Sequence, residues 1–188
     1  ILRLEGGVFD IEAGGGPIAY AVINNQLAYE AADQQPPEAA LVKLNLDTGE
    51  IYWKKVVGNG DALLGDIEDA GSSLVASDSR LPRIFLHEPD REPEILTADS
   101  RFVNVQGVAL DRKKRRLFVA DYLTGLFVVD LRTRVVTPIA NPTDAHLGGI
   151  DGLYLYRGDL IGVQNGTTPQ RIVRIDLDRQ GTTARALT

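Results

Sequence analysis

The sequence has no cysteine and no methionine, and only two histidines and one tryptophan, in 188 residues. Without cysteine there is no disulfide, no thiolate metal site and no cysteine nucleophile, and the redox compartment stays open. His87 and His146 lie far apart with no second histidine at ligand spacing, which argues against a zinc hydrolase. No apolar run approaches the ~18 residues of a membrane-spanning helix. A formal charge of -6 and a pI near 4.9 argue against nucleic acid or an anionic membrane as partner, because both reward a basic surface. The sequence opens Ile1-Leu2-Arg3, lacks methionine and shows no charged segment leading into an apolar one, so it reads as processed, cut or incomplete. A soluble protein is expected, with the periplasm or the cell exterior favoured over the cytoplasm.

With 44% hydrophobic and 24% charged residues the chain falls in the globular range, and its length suits a single core. Short apolar runs with period-2 alternation recur between Gly, Pro, Asn and Asp, as in Leu117–Asp121, Leu126–Leu131 and Ile172–Leu177. No long segment carries helical spacing with caps, so an all-β fold is expected.

Three columns of residues repeat along the chain. "LLGDIED", "NVQGVALD" and "GIDGLYLY" align Gly65, Gln106 and Asp151. "QLAYEAA", "SLVASD", "RLFVAD" and "DLIGVQ" align Ala31, Asp78, Asp121 and Gln164. "VKLNL", "RIFLHE", "FVVDL" and "VRIDL" align Asn45, His87, Asp130 and Asp176. All three recur at 41 to 47 residues, a period that, with several short strands per repeat, marks the blades of a β-propeller. The expected units are 17–58, 59–100, 101–144 and 145–188, with 1–16 as a linker or stray outer strand. The turns "LDTGE" (46–50), "EPDRE" (88–92) and "DRQG" (178–181) are expected between third and fourth strands. Four blades make a small ring, so the chain reads as part of a larger one, because a blade buries its faces only against neighbours.

Val105–Leu131 ("VQGVALDRKKRRLFVADYLTGLFVVDL") and Gly149–Asp178 ("GIDGLYLYRGDLIGVQNGTTPQRIVRIDLD") resemble the bacterial branch of the senescence marker protein, gluconolactonase and luciferin-regenerating enzyme superfamily, which is close to NHL-repeat propellers. "LVASDSRLPRIF" (74–85) and "RFVNVQGVAL" (101–110) extend the likeness. The resemblance implies a six-bladed ring and a divalent cation, commonly calcium, that polarises a lactone carbonyl beside a carboxylate. A hard cation with oxygen ligands suits that chemistry. On this resemblance Asp151 matches the aspartate that serves as ligand and water-activating base, and Gln106 stands where asparagine is usual. Gly65 stands where another asparagine is common, with Asp66 beside it as a third candidate ligand. Asp121, Gln164 and His146 are the candidate substrate contacts.

The same residues have plainer readings. Asp151 and Gln106 are either ligands or polar lining, and Asp78, Asp121 and Gln164 either reach a ligand or cap the turns after their strands. His87 reads as a solvated strand end. The run Arg112–Arg116 reads as a solvated hairpin tip rather than a nucleic-acid patch, and Asn165-Gly166 as a turn needing positive φ. Two functions follow: a metal-dependent hydrolase of a small lactone or related ester, or a non-catalytic propeller module that binds a small-molecule ligand.

Overall fold

The computed structural model describes residues 4, 6–25, 37–141 and 144–188. Alternating β-branched and aromatic side chains favour half-buried pleated strands, and among the described residues the chain forms strands and no helix. Among the described residues, sixteen strands build four sheets, in each of which every strand hydrogen-bonds the next in chain order. The first holds β1 (Gly7–Ala13), β2 (Ile18–Asn24), β3 (Ala39–Asn45) and β4 (Ile51–Val57), and the second β5 (Leu64–Asp69), β6 (Leu74–Asp78), β7 (Arg83–His87) and β8 (Glu94–Ala98). The third holds β9 (Val105–Asp111), β10 (Arg116–Asp121), β11 (Gly125–Asp130) and β12 (Val136–Pro138). The fourth holds β13 (Ile150–Tyr156), β14 (Asp159–Gln164), β15 (Arg171–Leu177) and β16 (Ala184–Leu187). Four-stranded antiparallel meanders of this kind are propeller blades.

The chain divides into two compact units at Leu96/Thr97, inside β8. In the first unit, Val22, Leu41 and Val57 share a buried cluster with Leu64, Ile67, Ala76 and Phe85 of the second sheet. In the second unit, Ala109, Phe118, Ala120 and Val128 pack with Leu153, Leu160, Val173 and Ile175. Each large side chain removed from water this way contributes about 1.5–3 kcal/mol. β10 is buried along its whole length, and its Phe118 and Ala120 belong to this cluster.

The columns fall on equivalent positions. Gly65, Gln106 and Asp151 are each the second residue of a first strand, and Asp78, Asp121 and Gln164 each end a second strand. Asn45, His87 and Asp130 end third strands, and Asp176 stands one residue before the end of β15. The turns at 46–50, 88–92 and 178–181 lie between third and fourth strands. At the first, Asn45 Oδ1 accepts the N–H groups of Asp47 (2.9 Å) and Thr48 (3.1 Å), and Gly49 supplies the positive φ of 73°.

The first sheet differs from the expected boundaries. Segment 1–16 carries β1, which pairs with β2 from Gly7↔Asn24 to Ala13↔Ala19 and so forms the first strand of that sheet. The strand read at "QLAYEAA", with Ala31, lies outside the described residues, and Asn24 ends the second strand there. Insertion of 25–38 between β2 and β3 displaced the column.

Within the second unit the first strands of the two sheets run against each other. A Cβ on Gly107 would lie 2.6 Å from Leu153 N and 2.7 Å from Asp151 O, both immobile backbone atoms, whereas one on the equivalent Gly152 would meet its nearest neighbour at 3.5 Å. Gly107→Ala is therefore expected to cost about 1–3 kcal/mol through overpacking, and Gly152→Ala no more than about 0.5 kcal/mol. Urea unfolding of the two variants checks this; equal losses would mean that the strands are not in close contact.

Candidate functional site

Each first strand carries an extra residue against its partner. In the second unit Val105 pairs with Asp121 and Val108 with Val119, so Gln106 and Gly107 oppose Ala120 alone. Ile150 pairs with Gln164 and Gly152 with Val163, leaving Asp151 unopposed. In the first unit Gly65 and Asp66 oppose Ser77, and Phe9 is the extra residue of β1. Bulges re-aim side chains and gather beside functional sites, which makes this end of the strands the candidate site.

Residues that end the second strands hold that end in place. Asn24, Asp78, Asp121 and Gln164 are fully buried. Asp121 Oδ2 accepts the N–H groups of Val103 (2.6 Å) and Asn104 (2.8 Å), and its Oδ1 those of Leu123 (3.0 Å) and Thr124 (2.9 Å). Asp78 Oδ1 accepts from Leu63, Arg80 and Leu81, and its Oδ2 from Arg83 Nε at 2.8 Å. Gln164 Nε2 donates to the carbonyls of His146 (2.9 Å) and Gly148 (2.7 Å), while Arg171 Nε donates to its Oε1 (2.8 Å). In the first unit Asn24 both donates to Leu64 O and accepts from Leu64 N, each at 2.9 Å.

The first-strand residues are more accessible. Asp151 is exposed, and its Oδ2 accepts from Asn165 Nδ2 at 2.8 Å. Asn165 Oδ1 is buried and has no hydrogen-bond partner among the described residues. Gln106 is half-buried and donates from Nε2 to Asn104 Oδ1 at 2.9 Å. The Gly107 approach brings Gln106 and Asp151 to adjacent bulges of one unit. His146 is exposed, with its ring beside Gly148 on the loop that leads to Asp151. Asp66 belongs to the first unit, where its Oδ1 (2.9 Å) and Asp10 Oδ2 (3.2 Å) both accept from Ile67 N.

Two residues were not recognisable as site components in the sequence. Asn165 was read as a turn residue, but neither it nor Gly166 has positive φ. The glycine serves close approach instead, since a Cβ there would lie 2.5 Å from Gly149 Cα. Asn104 opens "NVQGVALD" but stands opposite Leu63 and Gly149 of the other two segments, so no polar column marks it.

The donors at the second unit's bulges are one carboxylate and several amides, all oxygen ligands of the kind calcium takes. The unpartnered Asn165 oxygen fits an added electropositive group. Among the described residues no three His, Asp or Glu side chains converge, so such a group would rely on a single charged ligand.

His87 also departs from the sequence reading. It is buried, edge-on to Trp53 with ring centroids 4.9 Å apart, because its strand end faces the first sheet instead of solvent. It helps to line a pocket of about 340 Å3 with Lys43 and Lys55. Burial first, then the Lys55 ammonium, push its pKa below the ordinary histidine value. The sign follows: folding favours neutral imidazole, so this contribution is complete above about pH 6.5 and is lost as falling pH protonates the unfolded chain first. His87→Gln should flatten the decline in stability on the acid side of that value in denaturant titrations at several pH values. A decline of undiminished slope would place its origin elsewhere.

No family model and no curated protein sequence matches the chain. Solved structures match in fold. A protein of unknown function from Bacteroides thetaiotaomicron is 14% identical, with a TM-score of 0.65, over 90% of this chain and 41% of that one. The Pan2 WD40 domain of Neurospora crassa is 9% identical, with a TM-score of 0.62, over 97% and 50%. U3-55K is 10% identical, with a TM-score of 0.68, over 100% and 53%. The likeness is that of β-propeller folds, and the chain spans 41% to 53% of these neighbours' length.

The two columns carry different burdens. Asp121→Ala should cost about 3 kcal/mol or more, because it strands buried N–H donors. Asp151→Ala should stay within about 0.5 kcal/mol, as surface changes do. Chemical denaturation of both checks this, and a strongly destabilised Asp151→Ala would make Asp151 a structural residue.

Proposed function

We propose that this chain is a ligand-binding propeller module that holds a hard divalent cation, calcium by donor chemistry, at the bulge end of its second unit and presents it to a small polar molecule. The observation that carries the reading is Asp151, an exposed carboxylate on a bulge whose hydrogen bond is to the Asn165 amide. Asp151 would supply the charged ligand, with Gln106 Oε1 and Asn165 Oδ1 as neutral oxygens. The bound cation would attract the carbonyl or hydroxyl oxygens of a ligand. Asn165 orients the carboxylate, and the Gln164 contacts to His146 and Gly148 fix the loop that leads to it. Asp121 and Gln164 act here as positioning residues beneath the site, while exposed His146 stands where a ligand passes.

Hydrolysis of a small lactone is the second reading. It is favoured by the sequence resemblance and by Asp151 keeping one carboxylate oxygen outside the Asn165 hydrogen bond, available to a water molecule.

A ligand that binds only the folded chain raises its stability, by about 2.7 kcal/mol at a hundred times its Kd. Melting in millimolar calcium should therefore exceed melting in chelator, and Asp151→Asn should abolish the difference. Absence of any shift would remove the cation reading. Hydrolysis of an aldonolactone panel that disappears in Asp151→Asn would establish the second reading; a calcium shift with no hydrolysis would leave the first.

A further inference from the structure

The hairpin turn between β9 and β10 carries Arg112-Lys113-Lys114-Arg115, all exposed, and leads into Arg116, the buried first residue of β10. Lys114 Nζ donates to the carbonyl of Arg179 at 3.0 Å, and Arg116 Nη1 donates to that of Gln180. The turn thus grips the β15–β16 turn of the neighbouring sheet in the same unit. Between them lies a pocket of about 500 Å3, at the opposite end of β9 from Gln106.

Arg116 lines this pocket with 6% of its surface exposed. Its Nε donates to Asp111 Oδ2 at 3.2 Å, and the guanidinium lies 4.8 Å from the centroid of the Phe118 ring. Gly181 leaves the space the guanidinium occupies, since a Cβ there would lie 2.4 Å from Nη1. The remaining nitrogen, Nη2, is buried without a hydrogen-bond partner among the described residues. A buried donor on a charged group left unmatched is costly, more so than a neutral one.

The rest of the lining supplies more donors. Lys114 and Arg179 add two cations, and Thr137 adds a hydroxyl. The one lining carboxylate, Asp130, already accepts the N–H groups of Arg132 (2.9 Å) and Thr133 (2.7 Å). Val128 and Val135 form an apolar wall. In a chain of formal charge -6, three cations and one carboxylate line this pocket, with Asp111 paired to Arg116 from beside it. Donors exceed acceptors, and the arginine fork suits a planar or tetrahedral oxyanion held by paired bonds.

We propose that this pocket binds the phosphate group of a small molecule, with Arg116 as the buried anchor, Lys114 and Arg179 as flanking cations, and the valine wall against the ligand's apolar part. The site is separate from Asp151 and independent of any cation there.

Inorganic phosphate is the probe, titrated into the protein by calorimetry with sodium chloride holding ionic strength constant. Saturable binding is expected, displaced by sulfate and unchanged in Asp151→Asn. Lys114→Ala and Arg179→Ala alter exposed side chains and should each weaken binding about tenfold or more. Arg116→Lys keeps the charge but loses the fork and should bind least; should it not fold, the Lys114 and Arg179 variants decide. Absence of saturable binding overturns the proposal, as does phosphate binding that the Lys114→Ala/Arg179→Ala double variant retains. A single-stranded oligonucleotide that binds equally well to that double variant, with phosphate failing to compete, would assign the basic turn to a polyanion and would likewise overturn it.

Discussion

The constraint beneath this fold is the need to satisfy backbone polar groups where each chain segment turns into the first strand of a sheet. Those groups lie inside the protein, and an unmatched buried N–H or carbonyl costs about 1–3 kcal/mol. One fully buried side chain at the end of each second strand meets the need, and its chemistry follows what the backbone presents. Where the loop offers N–H groups, as at Val103 and Asn104, the residue is the acceptor Asp121. Where it offers carbonyls, as at His146 and Gly148, the residue is the amide donor Gln164. Asn24 meets both groups of Leu64 and needs both halves of an amide.

With that end of the sheet held by the buried column, the adjacent bulges carry differing residues. The second residues of β5, β9 and β13 are Gly65, Gln106 and Asp151, side chains with no chemistry in common. Such variety is compatible with the fold because none of the three side chains is fully buried. Binding chemistry can therefore change at these positions while the buried column beneath stays polar. Gly107 limits this freedom, because the neighbouring first strand leaves no room for a side chain.

Much of the blade pattern was legible in one dimension. Column positions depend on strand length and turn chemistry, both local, and these placed Gln106 with Asp151, and Asp121 with Gln164, at equivalent points of successive sheets. What the sequence hid were contacts across sheets. His87 ends a strand as Asp130 does, but Trp53 from another sheet covers it. Arg116 closes a run of five basic residues, yet only it of the five is buried, because Asp111 and Phe118 lie beside it. Asn165-Gly166 matches a turn motif, whereas the glycine is required by Gly149, seventeen residues earlier in a different loop. The first sheet misled for another reason. The 25–38 insertion contains an alternating apolar run, while β2 ends in Asn24 instead of the aspartate found in β6 and β10.

Two arginines show how the protein holds a guanidinium against an aromatic ring and where its handling is incomplete. Arg83 lies 4.9 Å from the Phe85 ring centroid, with Nε on Asp78 and both terminal nitrogens on Asp61. That guanidinium holds the Asp61 carboxyl below its ordinary pKa, and each of its nitrogens has an acceptor. Arg116 lies over Phe118 in the same manner, with Nε on Asp111, but Nη1 relies on a neutral carbonyl and Nη2 on nothing among the described residues. The same arrangement recurs in two sheets, closed in one and open in the other. Since the aromatic stacking and the Nε–carboxylate pair are common to both, packing alone does not require the open donor. Arg116 also lines a pocket with two further cations, Lys114 and Arg179, which is where the proposed oxyanion would sit.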